Sequence, residues 1–351
     1  MDIANAMALP GAMLDIDGSQ GEGGGQVLRT SLSLSMLSSR PVRLRNIRAG
    51  RRKPGLMRQH LTCVLAAARI CGAEVEGAVL GSTALTFRPG PIQAGDFRFA
   101  IGSAGSTSLV LQTVLPALLM APARSRLRIA GGTHVPLAPC ADFIAQAFLP
   151  VLRGMGARID FRLLRHGFMP DGDGEIEVEI DPQALRPLAL EQRGRLLRLT
   201  AAAVIGQLPG GIAERELKEL QRHLPEVEVE QPAPVGSGGA GNALVLCARF
   251  EQVCEVLTTL GQRGLSSEAV AHQAARDYRQ YLAHGAPVGE HLADQLLLPL
   301  WLAGGGHFRT GRPSLHLETN AAVLRAFGAQ VDLAPDPANP RQWWVRVQRS
   351  S

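Results

Sequence analysis

Three stretches of this 351-residue chain combine residue types suited to handling phosphate or transferring a group. The first is DGSQGEGGGQVLR, which holds Asp17, Glu22, Gln26 and Arg29. Gly21, Gly23, Gly24 and Gly25 free the backbone just before a helix pattern, where peptide N–H groups face an anion readily. Glu22 is a candidate ligand for a divalent cation. Taken alone, the segment reads as a tight turn before a helix. The second stretch, NIRAGRRKPGLMRQHL, gathers Arg48, Arg51, Arg52, Lys53 and Arg58 around a Pro-Gly turn, followed by Gln59 and His60. The planar fork of arginine binds phosphate through paired hydrogen bonds, so this group suits a polyphosphate or an RNA backbone. A solvated basic loop is the equal alternative. The third, GEHLADQLLLPLWLAGGGHFRTGRPSLHLETN, carries His291, Asp294, Gln295, His307 and His316. His291 and Asp294 are three apart and share a helix face. His316 is expected to end a short strand, and composition alone does not single it out among nine histidines.

Two further segments are glycine-rich. IGSAGSTSLVLQTVLPAL puts Gly102, Gly105, Ser106 and Thr107 at a helix start and Gln112 inside an apolar helix, where a buried amide needs partners. GGTHVPLAPCADF supplies Pro139 and a His134 read as structural or solvated.

Composition removes several classes. With 46% hydrophobic and 19% charged residues, the chain is globular. Only Lys53 and Lys218 are lysines among 36 basic residues, and no GxxxxGK[ST] loop exists, which excludes a P-loop NTPase. The net charge of +5 is compatible with a polyanionic partner. An aromatic content of 4% is thin for a protein that grips single strands by stacking. The five cysteines form no CxxC, which suits a reducing cytoplasm. The longest apolar run, Leu109 to Ala121, is broken by Gln112, Thr113 and Pro116, so no membrane span is expected. The leading MDIANAMALPGAML lacks the basic start of a signal peptide.

The elements that must position these residues follow from an internal repeat. Three helix patterns end in Gly-Ala and run into a strand, at Gly72, Gly156 and Gly328, each glycine suited to a left-handed helix stop. Gln112 and Pro116 echo Gln295 and Pro299, and Gln26 opens a similar Leu-rich helix. The first two glycines are 84 residues apart and the last two 172, an excess of 88, the size of a small domain. The expected class is α+β: three βαβαββ repeats with a smaller α/β insert before the third. Residues 1–184 would hold two repeats, 185–283 the insert and 284–351 the third repeat. An exposed edge strand would offer a route to a homodimer.

Six ordered blocks then closely resemble the RNA 3′-terminal phosphate cyclases: GSQGEGGGQVLRTSLSLSML, IRAGRRKPGLMRQHL, GSAGSTSLVLQTVLPALL, GGTHVPLAPCADF, GEHLADQLLLPL and SLHLETNAAV. The resemblance implies repeats like the C-terminal domain of bacterial translation initiation factor three. It also implies an ATP-dependent reaction with Mg²⁺ or Mn²⁺ on an RNA carrying a 3′-terminal phosphate, through a covalent histidine-AMP and an RNA-adenylate, to a 2′,3′-cyclic phosphate. His316 matches the family's nucleophile and Glu22 its metal-binding glutamate. Gln112, Pro139, His291, Leu292, Ala293, Asp294 and Gln295 match the nucleotide pocket. Arg29, Arg48, Arg51 and Gln59 match the phosphate-facing group. Some members have Tyr at the position of His291. The alternative is a non-catalytic cyclase-like protein of ribosome assembly, which would lack the nucleophilic histidine. An enolpyruvyl transferase would need phosphate-site lysines, and an RNA-binding module of the initiation-factor type would not need the glycine-rich segments.

Overall fold

A computed structural model describes residues 12–230 and 235–349. The signal-peptide reading falls mostly on residues 1–11, outside the described residues. The chain opens with strand β1 (Leu14–Asp17), helix α1 (Gly25–Ser38), β2 (Val42–Arg45), α2 (Arg58–Cys71), β3 (Glu74–Glu76) and β4 (Leu85–Arg88). The strands form a sheet in the order β1-β2-β4-β3, with β1 and β2 parallel and the other pairs antiparallel. β5 (Asp96–Ala100), α3 (Thr107–Leu118), β6 (Ser125–Gly131), α4 (Ala141–Phe143), a π-helical turn (Ile144–Phe148), α5 (Leu149–Gly154), β7 (Arg158–Arg165) and β8 (Gly174–Asp181) follow. Their sheet runs β5-β6-β8-β7 with the same parallel and antiparallel senses.

The next strand, β9 (Leu188–Leu190), lies inside the stretch 185–283 expected to be the insert. It pairs in parallel with β14 (Gly305–Thr310), far along the chain. Between them run β10 (Leu196–Gly206), α6 (Gly211–His223), β11 (Glu228–Val229), β12 (Gly241–Phe250), β13 (Cys254–Leu260), α7 (Ser267–His284) and α8 (Glu290–Leu302). β10 to β13 make a sheet of their own, ordered β11-β10-β12-β13. After β14 come α9 (Leu315–Ala326), β15 (Gln330–Asp336) and β16 (Asn339–Gln348), giving a fourth sheet, β9-β14-β16-β15. Three of the four sheets therefore share one order and one set of pairing senses, in a mixed α+β architecture. Spacing between helix-stop glycines is blind to β9, because that strand lies far along the chain from the one it pairs with.

Each helix ahead of a predicted glycine stops there in the left-handed region, at φ 59° for Gly72, 106° for Gly156 and 93° for Gly328. α1 is buried almost all round and packs on α2, α3 and α9. It is a central post, buried on its serine as well as its leucine positions. Strand faces alternate as their sequences do, with Val42 and Leu44 buried and Arg43 and Arg45 out. Many arginines sit on such outward faces. Arg126, Arg128 and Arg162 converge on Glu177, at 2.7, 2.5 and 3.5 Å. The five cysteines are buried free thiols. No helix among the described residues is long and apolar enough to cross a membrane.

Candidate active site

His316 is in the first turn of α9, not at the end of a strand as its sequence context suggests. Ser314 caps that helix, its Oγ accepting from Leu317 N at 3.3 Å. Packing of α9 on α1 brings Glu22 and Gln26 to the imidazole. Thr30 Oγ1 donates to Asn320 Oδ1 at 2.8 Å, and Glu22 N donates to Thr319 Oγ1 at 3.1 Å. His316 Nδ1 lies 2.7 Å from Gln26 Oε1 and 2.9 Å from Glu22 Oε2. Both neighbours are acceptors, so Nδ1 carries the proton and donates. Nε2, with no partner among the described residues, keeps its lone pair. The His316 side chain is half exposed while that of Glu22 is 8% exposed: an imidazole at the surface of the cleft on a buried support.

Further groups lock this corner. Gln26 Nε2 donates to Asp294 Oδ2 at 3.0 Å, which fixes the amide so that its oxygen faces His316. Asn320 Nδ2 donates to the Asp294 carbonyl at 2.6 Å. Gln112 Nε2 donates to Gln295 Oε1, and Gln295 Nε2 to the His291 carbonyl at 2.8 Å. On its other side Glu22 Oε2 takes Arg51 Nη2 at 3.0 Å. The Glu22 hydrogen bond holds the His316 pKa above its usual value, against burial. Burial works against Glu22 ionising, but His316, Arg51 and Arg29 outweigh it and hold this carboxyl below its usual value. Burial pushes Asp294 up to about 6.

The glycines beside Glu22 are needed for close approach. A methyl group at Gly24 would overlap Glu22 Oε1 and lie 2.7 Å from Arg51 Nη2. One at Gly25 would overlap His60 Nε2 and lie 2.8 Å from Arg29 Nη1. This run thus makes room for Arg51 and His60 from the second segment, which a reading as an N–H display misses.

The corner opens into a cleft of about 930 Å³. Glu22, Arg29, Arg48, Arg51, Gln59, Gln112, Pro139, His291, Asp294, Gln295 and His316 all line it, so five separated segments meet. β13 and α7 contribute Glu255, Thr258 and Tyr281 to the same wall. Leu292 and Ala293 do not line it: they are buried at 0% and 1% exposure, on the inward side of α8. Arg48 spends one nitrogen on its own loop, Nη1 donating to the Lys53 and Gly55 carbonyls at 2.8 Å each. Gln59 Oε1 accepts from Ser106 N at 2.7 Å, so the start of α3 is satisfied internally and does not face the cleft. His134 is structural: buried, with Nε2 2.7 Å from Asp142 Oδ2 and Nδ1 2.9 Å from Thr133 Oγ1.

Sequence reasoning gave no role to Gln26, Asn320 or His60, all of which line the cleft. The signal for Gln26 was present, since it opens a Leu-rich helix as Gln112 and Gln295 sit in theirs. The structure shows why the echo exists: the three glutamines converge on the cleft.

A family model described as RNA 3′-terminal phosphate cyclase matches residues 20–332. A protein named RNA 3′-terminal phosphate cyclase from Pseudomonas fluorescens is 54% identical over 318 residues, covering 90% of this chain and 92% of that one. Proteins of the same name from Salmonella typhimurium (52% identical, 90% and 93% covered) and Ectopseudomonas mendocina (49%, 96% and 98%) agree. Among solved structures, the enolpyruvyl transferase NikO from Streptomyces tendae is 13% identical with a TM-score of 0.38, covering 96% of this chain and 48% of that one; such distance decides nothing. With a family match over most of its length and relatives at about half identity, the chain belongs to the RNA 3′-terminal phosphate cyclase family.

Proposed function

We infer that the chain converts an RNA 3′-phosphate to a 2′,3′-cyclic phosphate at the expense of ATP. The observation that carries this reading is His316, with Nδ1–H held by Glu22 and Gln26 and Nε2 unpartnered on the cleft. Nε2 attacks the α-phosphorus of ATP and pyrophosphate leaves, giving a histidine-AMP. The positive charge that develops on the ring is stabilised through Nδ1–H by the Glu22 carboxylate. An oxygen of the RNA 3′-phosphate then attacks the same phosphorus, breaks the P–N bond and forms a mixed anhydride with AMP. The 2′-hydroxyl attacks the activated 3′-phosphorus, loses its proton to water and expels AMP. That last step is intramolecular, so ring closure is favoured by proximity.

His291, Pro139, Gln112, Asp294 and Gln295 would hold the adenosine. Arg29, Arg48, Arg51 and Gln59 would hold phosphates in line. Glu22 fits a role in holding Mg²⁺ or Mn²⁺, because Oε2 takes both His316 and Arg51 while Oε1 accepts no hydrogen bond among the described residues. A single carboxylate with water and phosphate oxygens suits such an ion, which when bound neutralises phosphate charge. The three like-ordered sheets support a reading of three copies of one βαβαββ unit, as in the C-terminal domain of initiation factor three. The insert would then run from about 191 to 289, between β9 and α8.

Incubation with Mg²⁺ and α-³²P-ATP tests the chemistry. Wild type and His291→Ala should form an acid-labile, alkali-stable protein adduct, and His316→Ala should form none. Label that survives in His316→Ala overturns the assignment of the nucleophile. Absence of label in the wild type favours the non-catalytic reading.

A further inference from the structure

His60 faces the cleft from the second residue after the start of α2, yet none of the roles above uses it. Its side chain is buried, at 8% exposure. Met57 N donates to Nδ1 at 3.4 Å, in the cap of α2. An imidazole nitrogen that accepts a hydrogen bond carries no proton, so the proton of the neutral ring is on Nε2. Nε2 has no partner among the described residues. It points to the open side of Gly25, the position shared with Arg29 Nη1. Arg48 and Arg51 line the same cleft. This wall is rich in donors, with the Glu22 carboxylate paired to Arg51 at its edge, and the unpartnered imidazole N–H faces the space they surround.

Protonation would not serve here. Burial first, then Arg29, Arg48 and Arg51, push the His60 pKa down to about 3, so the ring is neutral throughout the working range. A neutral donor adds a hydrogen bond without adding a fourth positive charge to a crowded wall.

We propose that His60 is a substrate-binding residue whose Nε2–H donates to a phosphoryl oxygen held between Arg29, Arg48 and Arg51. The proposal rests on reading the cleft as a phosphate site for ATP and RNA. A polyphosphate oxygen of ATP and an oxygen of the RNA 3′-phosphate share the recognised chemistry. The assay arms below separate the two.

Two variants dissect the ring. His60→Asn keeps an acceptor near the Nδ1 position, preserving the cap, but is too short to reach the Nε2 position. His60→Gln reaches the Nε2 position with an N–H donor but loses the cap. Three measurements on the full chain apply: calorimetric binding of inorganic tripolyphosphate, the ATP dependence of adduct formation, and transfer from isolated adenylated protein to a 3′-phosphorylated RNA. His60→Asn should melt within a few degrees of wild type and lose about fivefold to tenfold in phosphate recognition, the scale of one neutral hydrogen bond. His60→Gln should recover part of that loss despite its weaker cap. Weakened tripolyphosphate binding with a raised KM for ATP assigns the donor to ATP. Slowed transfer with normal ATP dependence assigns it to the RNA phosphate. Wild-type behaviour of His60→Asn in all three measurements overturns the proposal. So does equal loss in both variants with lowered melting, since the ring then acts through packing. If the wild type binds tripolyphosphate but never forms the adduct, the catalytic reading fails and the binding arm still tests His60.

Discussion

His316 and His60 line one cleft and are set in opposite states by their neighbours. His316 is half exposed and donates through Nδ1 to a buried carboxylate, which favours the charged ring. His60 is buried, accepts at Nδ1 from a backbone N–H and sits among arginines, which forbids it. When neutral, the first ring holds its proton at Nδ1 and offers a lone pair at Nε2, whereas the second offers a proton there. The difference arises from what each Nδ1 meets. It teaches that a histidine's chemistry in this cleft is decided one atom behind the reacting nitrogen.

The largest break in this contrast is Glu22→Gln. A glutamine is nearly isosteric, but presents a neutral oxygen or an N–H to His316 Nδ1 in place of a carboxylate. The tautomer is no longer enforced, and the cationic adduct loses its counter-charge. Adduct formation should fall by on the order of 10²–10⁴-fold, with the fold intact by circular dichroism. A loss below threefold would remove Glu22 from the support of the nucleophile. Gly25→Ala attacks the other ring. The methyl group would overlap His60 Nε2, and the ring cannot retreat without breaking its cap to Met57. Arg29, a flexible side chain, moves more cheaply. Tripolyphosphate binding should weaken by roughly 10–100-fold, the scale of one to two charge-assisted contacts. Melting should fall by a few degrees, because the displaced ring gives up its cap on α2.

The two corners were unequally legible in the sequence. The His316 corner is written in the order of its blocks, and the resemblance carried Glu22, Asp294 and His316 to one place. The helix that bears His316 was expected ahead of Gly328, but its start was placed after His316, because SLHLETN follows the strand HFRT closely and the cap at Ser314 looks like strand-end chemistry. Gln26 was visible only as an echo, since a repeat marker shows equivalence without showing convergence. The glycines were read for their N–H groups, because nothing local reveals that His60 and Arg51 pass over them. β9 was lost for a related reason: three residues, cut from their sheet by about a hundred others, leave no periodicity to count. Helix and strand types, the left-handed glycine stops and the α+β class were all readable, because each depends on neighbours within a few residues.

The smallest signal is spectroscopic, and it reads the contrast without altering the chain. Ring-nitrogen chemical shifts of both histidines should be followed from pH 4.5 to 9 in metal-free protein. His316, raised by its hydrogen bond to Glu22, should titrate at a pH above the ordinary value of 6.5. Its charged pair with Glu22 stabilises the fold fully below the unfolded histidine's pKa, and this contribution is lost as pH rises through the raised value. His60, near 3, should show no titration in that window, with the shifts of a neutral ring protonated at Nε2. Its sign is the reverse: the folded state resists protonation, so stability is lost only as pH falls below the unfolded pKa toward the folded one. Glu22→Gln should lower the His316 midpoint and leave His60 silent. A His60 resonance that titrates near 6.5 would mean that the arginine wall is open to water, and the two rings would then differ in position alone.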